Sequence, residues 1–248
     1  MKGRQNKVVY AIILAGGSGV RMGNVDKPKQ YLLLNGKPII IHTIEKFCIN
    51  PRFERIIVLC PKNWIIHTQN LIKKYLPDYH RIDVIEGGTT RNETVMNAIN
   101  HIENIYVLDE DTVIVTHDSV RPFVTHRIIE ENIDSAIKYG ACDTVITASD
   151  TIVESVDGNI ISNIPDRKQM YQGQTPQSFK AMKLRAVYNS LTSKEKEILT
   201  DAAKILVIKG EPVHLVNGEV FNTKITYSYD LEVAEALIRR ENNVECSV

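Results

Sequence analysis

Val8-Val9-Tyr10-Ala11-Ile12-Ile13-Leu14-Ala15-Gly16-Gly17-Ser18-Gly19-Val20-Arg21-Met22-Gly23 is the stretch from which the fold can be read. Its apolar first half reads as a buried strand. The closely spaced glycines after it let the backbone come near a ligand, with amides free to face phosphate oxygens. Arg21, together with Lys27 and Lys29 of Lys27-Pro28-Lys29-Gln30, adds full positive charge to that loop. A loop of this kind suits a triphosphate, and in particular a departing pyrophosphate.

The spacing also excludes. A P-loop needs Gly-x4-Gly-Lys-Ser/Thr, and no Lys-Ser or Lys-Thr pair follows these glycines. A dinucleotide fingerprint needs Gly-x-Gly-x-x-Gly, but after Gly17 and Gly19 the next glycine, Gly23, comes one residue late. The second expected strand ends in Leu59-Cys60-Pro61, without an acid to hold a ribose. A dehydrogenase is therefore disfavoured. On this loop alone, a glycine-rich turn with incidental basic residues stays open.

Working outward, apolar strands alternate with amphipathic helices through the first part of the chain. Helices are expected over Pro38–Asn50 (buried face Ile40, Ile41, Ile44, Phe47), Asn63–Tyr75 (Ile65, Ile66, Leu71, Ile72), after Thr94 (Val95, Ile99, Ile102) and over Arg127–Tyr139. Strands are expected at Arg55–Leu59, Ile82–Ile85, Thr112–Thr116 and Thr144–Thr147. This βαβα order predicts an open, mostly parallel, twisted sheet with helices on both faces. Ligands of such sheets gather at the carboxyl ends of the strands. The glycine loop, Gly88–Thr94 and Asp118–Arg121 all fall on that edge.

Asp150 to Ser162 reads as two short alternating strands around Asp157-Gly158, a hairpin with too few large apolar residues to pack by itself. It is either an arm leaning on a partner or a surface hairpin. Further helices are expected over about 178–190 and 200–208, strands at Val213–Val216 and Val220–Thr226, and a closing helix from Tyr229 to about Arg240. The whole chain, 1–248, reads as a single domain with an arm at about 148–172.

Lysine plus arginine and aspartate plus glutamate balance at 30 each, so no global field steers the chain toward nucleic acid or an anionic membrane. No apolar run approaches the ~18 residues needed to span a bilayer. Cys48, Cys60, Cys142 and Cys246 are scattered with no Cys-x-x-Cys, which disfavours zinc or a disulfide framework and makes the cytoplasm the expected compartment. The expected partners are small molecules.

Three further constellations carry chemistry. Gly87-Gly88-Thr89-Thr90-Arg91-Asn92-Glu93-Thr94 offers close backbone approach and hydroxyls for a base and ribose, or else an ordinary capped helix start. Asp118 ends a buried strand, where a carboxylate needs a cation; magnesium or a ligand hydroxyl competes there with capping of the next turn. His117 beside it reads as a hydrogen-bonded core histidine rather than a general base. Lys224 either reaches the same edge or is a solvated strand lysine, and Arg167 with Lys168 is either site or surface charge. Nucleotidyl transfer unites these residues. A phosphate monoester has a second pKa near ~6 and is already a nucleophilic anion at neutral pH, so no general base is needed. The protein supplies positioning and positive charge.

Leu14-Ala15-Gly16-Gly17-x-Gly19-x-Arg21-Met22, Pro28-Lys29-Gln30, His117-Asp118-Ser119-Val120-Arg121-Pro122, Gln174-Thr175-Pro176-Gln177 and Asn222-x-Lys224-Ile225-Thr226, in this order, resemble the cytidylyltransferases. The resemblance implies a Rossmann-like nucleotidyltransferase fold and a homodimer interlocked through the arm; magnesium is the expected cofactor on the chemistry above. It implies Arg21 and Lys29 as catalytic. For CTP it implies Leu14, Ala15, Gly16, Gly17, Gly88, Thr89, Thr90, Arg91, Asn92, Glu93, Thr94 and Ser119. It implies Arg167 and Lys224 as the residues that position a polyol phosphate; Arg121 is a further candidate for that substrate, and Asp118, from its place at the strand end, for the metal.

Within the family, Met170–Phe179, Arg91–Thr94 and Ile41–Phe47 look like the ribitol-phosphate branch. The methylerythritol-phosphate branch typically has Asp-Ala-Ala-Arg-Pro where this chain has Asp118-Ser119-Val120-Arg121-Pro122. It also has an arginine before the arm's Asp-Thr, where this chain has Ser149. In the ribitol branch the acceptor-positioning arginine lies later in the arm, matching Arg167. The expectation is CTP plus D-ribitol 5-phosphate giving CDP-ribitol and pyrophosphate, for a teichoic acid or capsular polymer. The alternatives are methylerythritol 4-phosphate as acceptor, or a nucleotide-binding module without turnover.

Overall fold

A computed structural model of the protein describes residues 7–17 and 27–245. Strand β1 (Val9–Leu14) is buried along its whole length. A small ribbon follows, β2 (Leu33–Leu34) against β3 (Lys37–Pro38), turned by Asn35 and Gly36 at φ 49° and 78°. Positive φ at both central positions is the type I′ geometry that an Asn-Gly pair favours. Helix α1 (Ile39–Cys48) begins after Pro38 and buries Ile40, Ile41, Ile44 and Phe47, the stripe that the spacing predicts. Then β4 (Phe53–Cys60), α2 (Ile65–Tyr75), β5 (Ile82–Glu86), α3 (Arg91–Ile105), β6 (Val113–Asp118), α4 (His126–Tyr139) and β7 (Ala141–Thr147) alternate as expected. Beyond the arm come β8 (Tyr171–Lys180), α5 (Ala181–Asn189), α6 (Ser193–Glu197), α7 (Ala202–Ile208), β9 (His214–Asn217) and α8 (Ser228–Glu245).

Seven strands form one sheet in the order β5-β4-β1-β6-β8-β7-β9. Every neighbouring pair is parallel except those of β8, which runs antiparallel to both β6 and β7. Alternate residues of β1 feed opposite cores. Val9, Ala11 and Ile13 pack under α1, α2 and α4; Tyr10, Ile12 and Leu14 pack under α3, α5 and α7. Both faces are therefore covered, as continuous apolar strands require. A third cluster joins α8 (Ala234, Ile238) to Leu34, Ile39, Val120, Phe123 and Ile225 beside the strand ends. No helix among the described residues is long and apolar enough to cross a membrane.

Four expectations need correction, and one strand was not expected. Val220–Thr226 is not a strand: a turn bonds the Asn222 amide to the Glu219 carbonyl, and the Asn222 side chain turns inward to β8. Tyr171–Phe179 is a long strand, hidden in the sequence because its buried residues include Gln174, Thr175, Gln177 and Ser178. The helix expected from about 178 begins only at Ala181. The arm is not a regular hairpin. A single bridge, Glu154 to Asn163, closes an exposed loop in which the Asp157 carboxylate accepts the Asn159 and Ile160 amides and Gly158 has φ 76°. Local side-chain bonds of this kind compete with a strand ladder. On α2, Ile72 is buried but Ile66 is exposed, and Thr68 takes the inner position.

Candidate functional site

The sheet order reverses at β1, with β4 on one side and β6 on the other, and the segments that follow β1, β5 and β6 meet at the carboxyl edge of the strands. Bonds across the strand ends hold this edge together: Ala15 N–H to Leu59 O (2.8 Å), Ser119 N–H to Leu14 O (3.0 Å) and Gly87 N–H to Cys60 O (3.0 Å). A cavity of about 480 Å³ opens there, lined by Leu14, Gly16, Gly17, Lys29, Gln30, Gly88, Thr89, Thr90, Arg91, Thr94, Asp118, Ser119, Val120, Lys224 and Thr226.

A 3-10 turn, Lys29–Tyr31, presents Lys29 to this cavity. The turn is fixed from below, because the Tyr31 ring stacks on Trp64 at 4.6 Å and its hydroxyl meets Thr68 Oγ1 at 2.8 Å. Gln30 donates its side-chain amide to Ala15 O at 2.7 Å and so pins the start of the glycine loop. Among the described residues, an added Cβ would meet nothing within 4 Å at Gly16 or Gly17. Gly88 is different: its Cβ would lie 2.8 Å from Thr94 N, because helix α3 starts hard against it. That helix is capped by a reciprocal box in which Thr90 takes the Glu93 amide and Glu93 takes the Thr90 amide.

Asp118 is the electrostatic centre of the site. Its carboxylate contacts Arg91 Nη1 through Oδ1, and lies 3.0 Å from Lys224 Nζ and 3.6 Å from Arg121 Nε through Oδ2. Burial opposes its ionisation, but Arg91, Lys224 and Arg121 outweigh that effect and hold the carboxyl far below the usual carboxylate range. Of these three cations, Arg91 and Lys224 face the cavity. His117 is fully buried. Its Nε2–H donates to Arg121 O (3.0 Å) and its Nδ1 accepts from the Thr175 hydroxyl (2.9 Å). Burial pushes its pKa down to about 4, so the ring is neutral near pH 7 and is a core residue, as read from sequence.

The structure brings most of the singled-out residues together. Leu14, Gly16, Gly17, Lys29, Gly88, Thr89, Thr90, Arg91, Thr94, Asp118, Ser119 and Lys224 all line the cavity. Five others do not. Ala15 and Asn92 are buried behind it. Glu93 is occupied in the capping box with Thr89 and Thr90. Arg121 reaches back to Asn222 O at 2.8 Å and acts as an internal clamp. Arg167 sits on the exposed arm, where Nη1 donates to Ser149 O at 3.0 Å. Arg21 lies outside the described residues. Gln30, Val120 and Thr226 line the cavity without having been assigned a role; all three stand inside the quoted motifs, and that position was their only signal.

Magnesium was expected at Asp118. Among the described residues no group of three or more His, Cys, Asp or Glu side chains could hold a metal ion. Asp118 offers a single carboxylate beside the cavity. Such a donor set suits an ion that arrives on nucleotide phosphates better than one held in an all-protein cage.

The sequence matches the family described as 2-C-methyl-D-erythritol 4-phosphate cytidylyltransferase over residues 9–240. The fold is similar to that of several solved structures. One is the 2-C-methyl-D-erythritol 4-phosphate cytidylyltransferase of Francisella tularensis, at 30% identity over 92% of this chain and 98% of that one, with TM-score 0.76. Another is the 4-diphosphocytidyl-2C-methyl-D-erythritol synthase of Anaerococcus prevotii, at 26% identity over 94% and 97%, with TM-score 0.77. The 2-C-methyl-D-erythritol 4-phosphate cytidylyltransferase of Thermus thermophilus matches at 26% identity over 94% and 99%, with TM-score 0.71.

Proposed function

We propose a nucleotidyl transfer for this chain on one premise: it belongs to the 2-C-methyl-D-erythritol 4-phosphate cytidylyltransferase family, whose match runs over residues 9–240. The reaction joins CTP to a small phosphorylated polyol. The observation that carries it is the pairing of Gly16 and Gly17 with Lys29, Arg91 and Lys224 around one cavity. The acceptor's phosphate oxygen attacks the α-phosphorus of CTP. The bond from that phosphorus to the bridging β-oxygen breaks, and pyrophosphate leaves with both electrons of the bond. No proton has to move, since the acceptor phosphate is already an anion. Gly16, Gly17 and Lys29 receive the triphosphate, with Arg21 proposed beside them. Arg91 and Lys224, on the Asp118 side, offset repulsion between two anionic substrates. Magnesium carried by the triphosphate, with Asp118 as its protein ligand, would add positive charge to the phosphates.

The names of the relatives speak for methylerythritol 4-phosphate, and the comparisons back that acceptor better than ribitol 5-phosphate. A second reading, D-ribitol 5-phosphate, is favoured by one specific observation. Position 149, where the methylerythritol-phosphate pattern has an arginine, is serine, and the guanidinium bound to its carbonyl comes from Arg167. On that reading the product is CDP-ribitol, for a teichoic acid or capsular polymer. The exposed Val153, Val156, Ile160, Ile161 and Ile164 of the arm support a homodimer in which Arg167 serves a shared site.

The test is pyrophosphate release with CTP and magnesium, comparing the two acceptors. Release with methylerythritol 4-phosphate alone would establish the first reading, and release with ribitol 5-phosphate alone the second. CTP binding without release with either would favour a non-catalytic module.

A further inference from the structure

Lys224 stands in a segment without regular secondary structure, yet its ammonium meets Asp118 at 3.0 Å. Something other than a strand or helix must fix it. Two pins flank it. On one side the Ile225 amide donates to Val120 O at 2.9 Å. On the other side Asn222, fully buried, donates its side-chain amide to Thr175 O at 2.9 Å and to Gln174 Oε1 at 3.2 Å. Gln174 in turn donates to Glu219 O at 2.9 Å, and Arg121 donates to Asn222 O at 2.8 Å. Thr175 also reaches the other end of the ion pair, because its hydroxyl accepts the Asp118 amide at 3.2 Å. Gly218 makes the arrangement possible: a Cβ there would collide with Gln174 Oε1 and come within 3.0 Å of Thr144 Cγ2.

We propose that Asn222 is a positioning residue, which with Gln174 and Thr175 forms a buried amide mount that sets Lys224 against Asp118 and hence against the acceptor's phosphate. The inference rests on the cytidylyl-transfer reading, and its ligand class is the acceptor phosphomonoester rather than CTP. The physical basis is that a side chain must be held to within about 0.5 Å by locked neighbours to act efficiently. A flexible lysine stem cannot supply that precision by itself. The mount hangs on β8, so both ends of the Lys224–Asp118 pair move with one strand.

A double-mutant cycle tests this. Asn222→Ala should lower kcat/KM for the acceptor about tenfold while leaving the KM for CTP within about twofold. Gln174→Ala, which leaves Thr175 O as the remaining acceptor for Asn222, should show a smaller loss of the same kind. In a Lys224→Ala background, Asn222→Ala should cost less than about twofold more, because its effect passes through Lys224. Additive losses, or equal losses on the CTP and acceptor sides, would overturn the assignment. If Lys224→Ala leaves turnover unchanged, the acceptor-side reading of Lys224 has failed, and tryptic nicking after Lys224 in the native protein decides the mount. Faster nicking in Asn222→Ala than in wild type would uphold the mount, and an unchanged rate would refute it.

Discussion

Lys29 is 7% exposed, in the wall of a cavity that also presents open glycines. A cation in such a wall acts on a phosphate more strongly than one in water, and its effect grows as charge develops on the departing pyrophosphate. Lys29→Ala should therefore lower turnover by about 10²–10³-fold, with a much smaller change in the Kd for CTP. Steady-state rates and calorimetric titration with CTP would measure the two, and near-wild-type turnover would remove Lys29 from the chemistry. Asp143, on β7 opposite Gln177, carries a different consequence. Its Oδ1 is buried without a hydrogen-bond partner among the described residues. Burial pushes its pKa up to about 7, reinforced by Asp201, while Gln177 and Arg91 oppose the rise. The folded chain thus keeps a proton that the unfolded chain releases near ~4, so stability is fully present below that pH and falls as pH rises toward and through about 7. Asp143→Asn should flatten this decline, so that its Tm relative to wild type is higher at pH 8 than at pH 5. A constant difference across that range would mean that Asp143 ionises normally.

At the scale of elements, two glycine loops that look alike in sequence do different work. Among the described residues nothing stands where a Gly16 side chain would be, so Gly16→Ala should leave Tm nearly unchanged and weaken CTP binding. Gly88 abuts the first turn of α3, so Gly88→Ala should cost about 1–3 kcal/mol of stability through overpacking. Equal effects of the two substitutions on Tm would contradict this division. Elements whose signal is apolar periodicity were legible in the sequence. The α1 stripe of Ile40, Ile41, Ile44 and Phe47 is an example, because burial of one helix face imposes that spacing. Strand β8 was not legible. Its buried Gln174, Thr175 and Ser178 are satisfied by partners distant in sequence, such as Asn132 for Ser178 at 3.1 Å, while Gln177 Oε1 is buried without a hydrogen-bond partner among the described residues. Smaller elements did leave marks: Asn35-Gly36 signals the β2–β3 turn, and Thr192 with Glu195 forms the capping box that opens α6.

For the whole molecule, the strand order explains why the site is where it is. The carboxyl ends of β1, β5 and β6 and the segments after them supply its glycines, its capped helix start and its aspartate. That convergence at the strand ends was legible from the βαβα alternation, since parallel strands put all their carboxyl ends on one edge. The partners of Asp118 were not legible. Arg91, Arg121 and Lys224 reach it from three segments, and only the folded chain brings them to one carboxylate. The bond from Arg121 to Asn222 O was not legible either, since it is a tertiary contact. On the proposed function, this cavity transfers the cytidylyl group to a phosphorylated polyol. The most direct measurement is the fate of label from CTP labelled at the α-phosphorus, incubated with magnesium and each polyol phosphate in turn. The predicted result is label in a CDP-polyol, formed in equal amount with unlabelled pyrophosphate and only when acceptor is present. Label appearing as CMP without an acceptor, or remaining in intact CTP with every acceptor, would contradict it.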